Sequence, residues 1–269
     1  MGYHKETEVN NADRLGSSIH AIELPLFFDE VKDMDIYSMH NPAEYLSGNE
    51  YPGRGVLLGQ SPDGKAVLAY FIMGRSENSR NRIFTESGKD VIIHPFDASK
   101  VEDPSLIIYA PIRVVGQDVI VTNGDQTDTV RDHLNQGGNF YTALQTRCFE
   151  PDGPNWTPRI SGLLSPDGSY KMSILKASDP EGTGCNRYTY DYDPIPGLGH
   201  FLHTYVCNGN PVIPTFQGEP ERVAIPQDME SFVEMLWNNL NEDNKISLFV
   251  RYTDLATGEF RQKVINRYE

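Results

Sequence analysis

GVLLGQSPDGKAVLAYFI, residues 55–72, decides how this chain reads. Residues 55–60 and 65–72 flank Ser61-Pro62-Asp63-Gly64, a strong turn sequence, so the stretch forms a hairpin of two strands. The apolar run 66–73 reads as a buried strand. The same turn recurs at Ser165-Pro166-Asp167-Gly168, between strands predicted at 160–164 and 170–176. Each hairpin follows shortly after an arginine, Arg54 or Arg159. A duplicated hairpin and a chance repeat of a common turn account for this equally well.

Working outward, further strands are predicted at residues 91–94, 105–115, 118–122, 187–191 and 200–207, with a last hairpin from 246–252 and 259–265. A short helix starts near Asn41-Pro42-Ala43-Glu44 and ends by Gly48, with Asn41 as cap and Pro42 at the favoured first position. Two helices are expected over 127–135 and 139–147. In the second, Phe140, Ala143, Leu144 and Cys148 share one face, which assigns Cys148 to the core. Asp228 caps the clearest helix, where Met229, Phe232, Val233, Leu236, Trp237 and Leu240 follow helical spacing. Residues 208–226 read as a long Pro/Gly-rich loop. Hairpins, two helices, more hairpins and one late helix predict an α+β fold of antiparallel sheets with helices packed outside. Residues 1–50 read as an N-terminal extension, polar apart from 19–28, and 51–269 as a single domain.

The chain has 269 residues and a formal net charge of −15. Such an acidic balance argues against non-specific nucleic-acid binding, which needs a basic surface to replace counterions. No apolar run approaches the roughly 20 residues needed to span a bilayer. The N-terminus lacks the apolar core of a secretory signal, and Glu6 stands where a myristoylation signal needs Ser or Thr. The expected location is the cytoplasm. Cys148, Cys185 and Cys207 give neither a disulfide framework nor a zinc pattern. His200 and His203, three apart on a strand, face opposite sides, and no metal is expected. Neither a dinucleotide-binding glycine motif nor a phosphate-binding loop is present, and GxSxG is absent. The oligomeric state, a homo-oligomer included, is left open.

Three segments carry candidate chemistry. Gly74 to Arg82 holds Arg75, Arg80 and Arg82 just past the buried strand. Guanidinium groups grip phosphate and carboxylate through a planar fork of donors, so this run reads as an anion pocket or, equally, as a solvated arginine patch. At Val121 to Thr129 a strand turns on Asn123-Gly124 into a helix start, where free N–H groups bind anions; taken alone, Asp125, Thr127 or Asp128 read better there as plain caps. Glu150 to Arg159 is a polar loop stiffened by three prolines, either a site scaffold or a surface connection. Tyr109, within the expected strand, is a core phenol or a donor at a pocket wall.

Taken together, these segments resemble the archaeal-type IMP cyclohydrolase family over roughly residues 50–210. The resemblance rests on Tyr51-Pro52-Gly53-Arg54, on Ala69-Tyr70 leading to Arg75-Ser76 and Asn81-Arg82, on Asn123-Gly124 with Thr127-Asp128, and on Asn155-Trp156-Thr157-Pro158-Arg159-Ile160. The arginine segment is longer than the family pattern, and both chain ends extend beyond it. The resemblance implies an N-terminal-nucleophile-hydrolase-like fold, a four-layered αββα sandwich, without the nucleophile; because the chain opens on Met1, a self-processed nucleophile is not expected. It implies closure of the purine ring of formamido-imidazole-carboxamide ribotide to IMP with loss of water, with no metal or other cofactor. By the same resemblance Glu150 is the acid/base and Tyr109 the donor to the developing oxyanion or the leaving water. Arg75 and Arg82 hold the phosphate or polarise the formyl oxygen, with Arg54 close by. Asn123, Asp125 and Thr127 line the substrate pocket, opposite Asn155, Thr157 and Arg159. A catalytically silent ribotide-binding relative and an amide hydrolase on the same fold are the alternatives.

Overall fold

The computed structural model describes residues 35–101 and 108–268. Every helix and strand among the described residues lies in one compact unit, Ser38–Glu269. Residues 19–28, and 105–107 of an expected strand, lie outside the described residues.

In chain order come helix α1 (Pro42–Leu46), strands β1 (Arg54–Gln60) and β2 (Ala66–Met73), and the single turn α2 (Glu77–Arg80). Strands β3 (Ile83–Ser87), β4 (Asp90–His94), β5 (Ile112–Val115) and β6 (Asp118–Thr122) precede helices α3 (Gln126–Asn135) and α4 (Phe140–Gln145). Then follow β7 (Arg159–Leu164), β8 (Tyr170–Ala177), β9 (Cys185–Tyr192), β10 (Leu198–His203) and β11 (Glu221–Ala224). Helix α5 (Met229–Asn239) leads to β12 (Lys245–Thr253) and β13 (Phe260–Asn266). The strands form two antiparallel sheets, ordered β11-β10-β1-β2-β12-β13 and β3-β4-β5-β6-β7-β8-β9.

Side-chain alternation explains the packing. Along β2, Ala66, Leu68, Tyr70 and Ile72 join one apolar cluster, while Val67, Ala69, Phe71 and Met73 join another. Both faces of this strand are covered, hence its unbroken apolar sequence. The first cluster brings Val56, Leu58 and Leu68 of one sheet together with Val121, Ile160 and Met172 of the other. The second packs Leu57, Phe71 and Phe201 with Leu46 of α1 and Phe232, Val233 and Leu236 of α5. Burying each such side chain is worth about 1.5–3 kcal/mol, which anchors α5. The third cluster joins Ile120 and Leu163 to Val130 of α3 and to Phe140, Ala143 and Leu144 of α4. The mixed α+β expectation with antiparallel sheets is met.

Local signals set the boundaries. Asn41 caps α1 in a reciprocal capping box with Glu44, Asn139 caps α4, and Asp228 caps α5. Both SPDG turns close with the same bonds: Gly64 N–H donates to Ser61 O at 2.9 Å and Gly168 N–H to Ser165 O at 3.0 Å.

Five expectations need correction. Tyr109 is not inside a strand: β5 begins only at Ile112, because Pro111 has no N–H for the ladder. Even so, Tyr109 O accepts from Ile93 N–H at 2.9 Å, which ties it to the sheet. Cys148 is exposed rather than core, since α4 stops at Gln145. The loop over 208–226 contains β11, and strand β3 was not foreseen. Position 10 of the strand series ends at His203, short of the expected Cys207.

The two strand histidines are buried, on opposite faces as expected. His200 meets Tyr170 Oη at 2.7 Å and stacks on Tyr192, while His203 Nδ1 bonds Tyr205 O at 2.6 Å and packs on Phe201. Burial pushes the pKa of each imidazole down to about 4. The unfolded chain then binds more protons below pH 6.5, so the stability contributed above that pH is lost as the pH falls towards 4. For His203 the loss between pH 7 and pH 5 is about 2 kcal/mol. Urea unfolding at the two pH values should show this loss, and His203→Gln, which keeps a donor but does not titrate, should reduce it.

Candidate functional site

Arg54 opens β1 on the same face as Val56 and Leu58, so it points between the sheets. Tyr51-Pro52-Gly53 delivers it there by a turn that only glycine fits. Gly53 has φ +80°, and a Cβ on it would lie 2.1 Å from Thr204 Oγ1. Arg54 N–H donates to that same Thr204 Oγ1 at 3.1 Å, and Thr204 N–H donates back to Arg54 O at 3.0 Å.

The arginine run begins where β2 ends. Ser76 and Ser79 cap each other across α2, and the turn carries Arg82 back into the protein. Arg82 is fully buried: Nε donates to Ser79 O at 2.6 Å and Nη2 to Met73 O at 3.4 Å. Its Nη1, and Nε of Arg54, are buried donors with no hydrogen-bond partner among the described residues. Among the described residues no carboxylate lies within ion-pair distance of either guanidinium. Burial and then the Arg54 charge lower the Arg82 pKa, yet it remains a cation. At Arg54 burial also acts to lower the pKa, but Glu150, followed by Tyr51, Tyr109 and Tyr205, raises it well above its usual value.

Glu150 is 3% exposed, and its N–H donates to Thr157 O at 2.9 Å across the neck of the proline-rich loop. Burial raises its pKa against the opposing pull of Arg54, Arg159 and, more weakly, Arg82. Tyr109, also buried, shares a 2.9 Å hydrogen bond with the hydroxyl of Tyr70. Arg54, Arg82, Glu150 and Tyr109 therefore form one electrostatic group at the edge of the inter-sheet core. Tyr51 and Tyr205, stacked with centroids 5.7 Å apart, adjoin it.

Other expected residues lie around this group. Arg75 is exposed: Nη1 donates to Asn208 Oδ1 and Gly209 O, both at 2.8 Å, and the guanidinium sits 5.1 Å from the centroid of Tyr51. Thr157 Oγ1 bonds Asp152 and, at 2.6 Å, Tyr205 Oη, which locks the proline loop to the end of β10. Asn155 Oδ1 accepts from Ile213 N–H at 3.2 Å. Arg159 faces the opposite way from Arg54, towards the start of α3, and bonds Asp125 and Gln126 at 2.7 Å each. Asp125 also takes Arg147 at 2.6 Å. Burial acts to raise the Asp125 pKa, and the two arginines override it and hold the pKa low.

Asn123 and Thr127 spend their side chains inside the protein. Asn123 bonds Pro158 O, Ile160 N–H and Gln126, stitching β6 to β7. Thr127 bonds Thr122 and Gly124. Asp125 occupies the cap position of α3 but makes no cap bond. Sequence reading did not single out Tyr205, Asp152 or Gln126 for the site. Tyr205 is about 150 residues downstream of the arginine it adjoins, and no local signal reports such a contact.

A cavity of about 290 Å³ opens elsewhere, lined by Leu164, Arg251, Thr257 and Phe260 among others, and holds none of these groups. No group of three or more His, Cys, Asp or Glu among the described residues could hold a metal ion. No helix among them is long and apolar enough to cross a membrane.

A two-sheet α+β scaffold with a buried arginine–carboxylate–tyrosine group is a frame for small-molecule chemistry. A family model described as IMP cyclohydrolase-like protein matches residues 51–259, and the chain belongs to that family. Among curated proteins it is similar to the IMP cyclohydrolase of Methanococcus aeolicus, 29% identical over 162 residues, 58% of this chain and 75% of the relative. The IMP cyclohydrolase of Methanopyrus kandleri is 29% identical over 190 residues, 59% of this chain and 92% of the relative. That of Methanothrix thermoacetophila is 36% identical over 119 residues, 43% of this chain and 58% of the relative.

The buried donors predict anion binding. Inorganic phosphate at ten times its Kd should stabilise the fold by about 1.4 kcal/mol, read as a raised melting temperature. Arg82→Met should fold and lose most of that rise.

Proposed function

We propose that the chain is an IMP cyclohydrolase, closing the purine ring of formamido-imidazole-carboxamide ribotide to IMP. The observation that carries this reading is the pair of buried, unpartnered donors on Arg82 and Arg54 beside Glu150. Family membership and the names of the archaeal relatives support it.

The reaction forms a bond from the carboxamide nitrogen to the formyl carbon. The formyl π electrons move to oxygen, and the hydroxyl so formed then leaves as water. The amide is a poor nucleophile, so holding it against the formyl group supplies much of the rate. Arg82 and Arg54 stabilise the charge that develops on the formyl oxygen, where dry, fixed donors act most strongly. Tyr109 donates to the same oxygen. Glu150, as carboxylate, takes the amide proton during attack and gives it to the oxyanion, making the hydroxyl. It then takes the formamido N–H proton as the C=N bond forms and returns it to the hydroxyl, which departs as water. Its raised pKa suits a group that must do both. Arg75, exposed beside Tyr51, meets the phosphate at the mouth. Thr157, Asn155 and Arg159 hold the wall opposite. Asn123, Asp125 and Thr127 do not line the site but fix the turn into α3, and Asp125 the position of Arg159. The chemistry calls for no metal or redox cofactor.

The same reading makes residues 51–269 the catalytic domain, with the preceding segment as an extension. The two sheets with helices against their outer faces support a four-layered αββα sandwich of the N-terminal-nucleophile-hydrolase-like kind. The ligand is a free ribotide rather than nucleic acid, and the reaction belongs in the cytoplasm.

Ultraviolet absorbance of the purified protein with the formamido ribotide should report IMP forming faster than without protein. Arg82→Ala and Tyr109→Phe should each cut turnover at least about tenfold while remaining folded. Ribotide binding without turnover would point instead to a silent binding relative, and amide hydrolysis without ring closure to a hydrolase on this fold.

A further inference from the structure

Tyr70 lies in the middle of β2, paired with Val56 on one side and Phe249 on the other. It is fully buried, and its ring stacks on Phe84 with centroids 5.7 Å apart. A phenylalanine would fill this place as well. The hydroxyl has one hydrogen-bond partner among the described residues, the hydroxyl of Tyr109 at 2.9 Å. A buried phenol needs that partner, so the pair is a built feature of the core edge.

Only one proton lies between the two oxygens, and the two arrangements differ in cost. If Tyr109 donated to Tyr70, the Tyr70 proton would be left in the core with no acceptor. If Tyr70 donates to Tyr109, Tyr70 is satisfied and the Tyr109 proton is free to turn elsewhere. The charges that act on Tyr70, Arg54 and Arg82, are cations with no acceptor capacity. Burial, and then Tyr109, raise the Tyr70 pKa well above its usual value, so Tyr70 keeps its proton at working pH.

We propose that Tyr70 is a positioning residue: by donating its proton to the oxygen of Tyr109, it fixes Tyr109 as a donor aimed at the reacting carbonyl. This rests on the cyclohydrolase reading, in which Tyr109 donates to the formyl oxygen. Tyr70 touches no substrate. Among the described residues it has no further partner to pass a proton on to, so it orients Tyr109 rather than relaying.

The test compares Tyr70→Phe, Tyr109→Phe and the double variant with the parent, using the formamido ribotide. Tyr70→Phe keeps the ring and its stacking, and its melting temperature should stay close to that of the parent. Its kcat should fall about tenfold with KM little changed, since the lost interaction acts in the transition state. In the Tyr109→Phe background the same change should cost nothing more. A Tyr70→Phe enzyme with parental kcat, alongside an impaired Tyr109→Phe, overturns the positioning role and leaves the function intact. Losses that multiply in the double variant also overturn it. An unimpaired Tyr109→Phe would instead remove Tyr109 from the reaction, and the inference with it.

Discussion

A fully buried guanidinium without a carboxylate partner governs this structure. Taking a charge out of water costs several kcal/mol even after relaxation, and a protein normally offsets that with an ion pair. Arg82 has carbonyl acceptors for two nitrogens and, among the described residues, nothing for the third. Arg54 adds a second buried cation close enough to depress the Arg82 pKa. Glu150, itself buried, acts on both arginines without pairing directly with either. Such an arrangement favours any ligand that brings electron density to the gap between these groups.

The rest of the fold serves to hold that group still. Alternation along β1 aims Arg54 between the sheets, and the glycine turn at Gly53 lets Thr204 close on its backbone. The α2 turn returns Arg82 from the end of β2. The bond between Glu150 and Thr157 pins the acid at the neck of its loop, and the Asp152–Thr157–Tyr205 chain ties that loop to the other sheet. Arg54 is thus fixed by a residue far away in sequence, while Arg82 and Glu150 are held by the turn and the loop that carry them. The two SPDG hairpins share turn geometry and an arginine at the head of the first strand. Their arginines nonetheless face opposite ways, Arg54 into the core and Arg159 towards α3.

Much of the fold was legible because its signals are local. Turn residues, helix caps and the unbroken apolar run of β2 each specify their own geometry. Strand β11 escaped notice because it is a four-residue piece at the edge of its sheet, set in a stretch rich in Pro and Gly. The strand around Tyr109 was overextended because an apolar run does not reveal that Pro111 withholds its N–H. For the site, motif order brought out Arg54, Arg82 and Glu150. It could not tell that Asn123 and Thr127 turn their polar groups inward, because the same residue types serve a pocket or a turn. Tyr70 was hidden for the opposite reason: a strand phenol among apolar neighbours looks like packing until the hydroxyl across from it is seen.

The most direct test of the account is a crystal structure with IMP bound. It should show the purine C2 edge against Glu150 and Tyr109, with a ligand or water oxygen within hydrogen-bond distance of both Arg82 Nη1 and Arg54 Nε. A purine seated elsewhere, with those two nitrogens still lacking a partner, would contradict it.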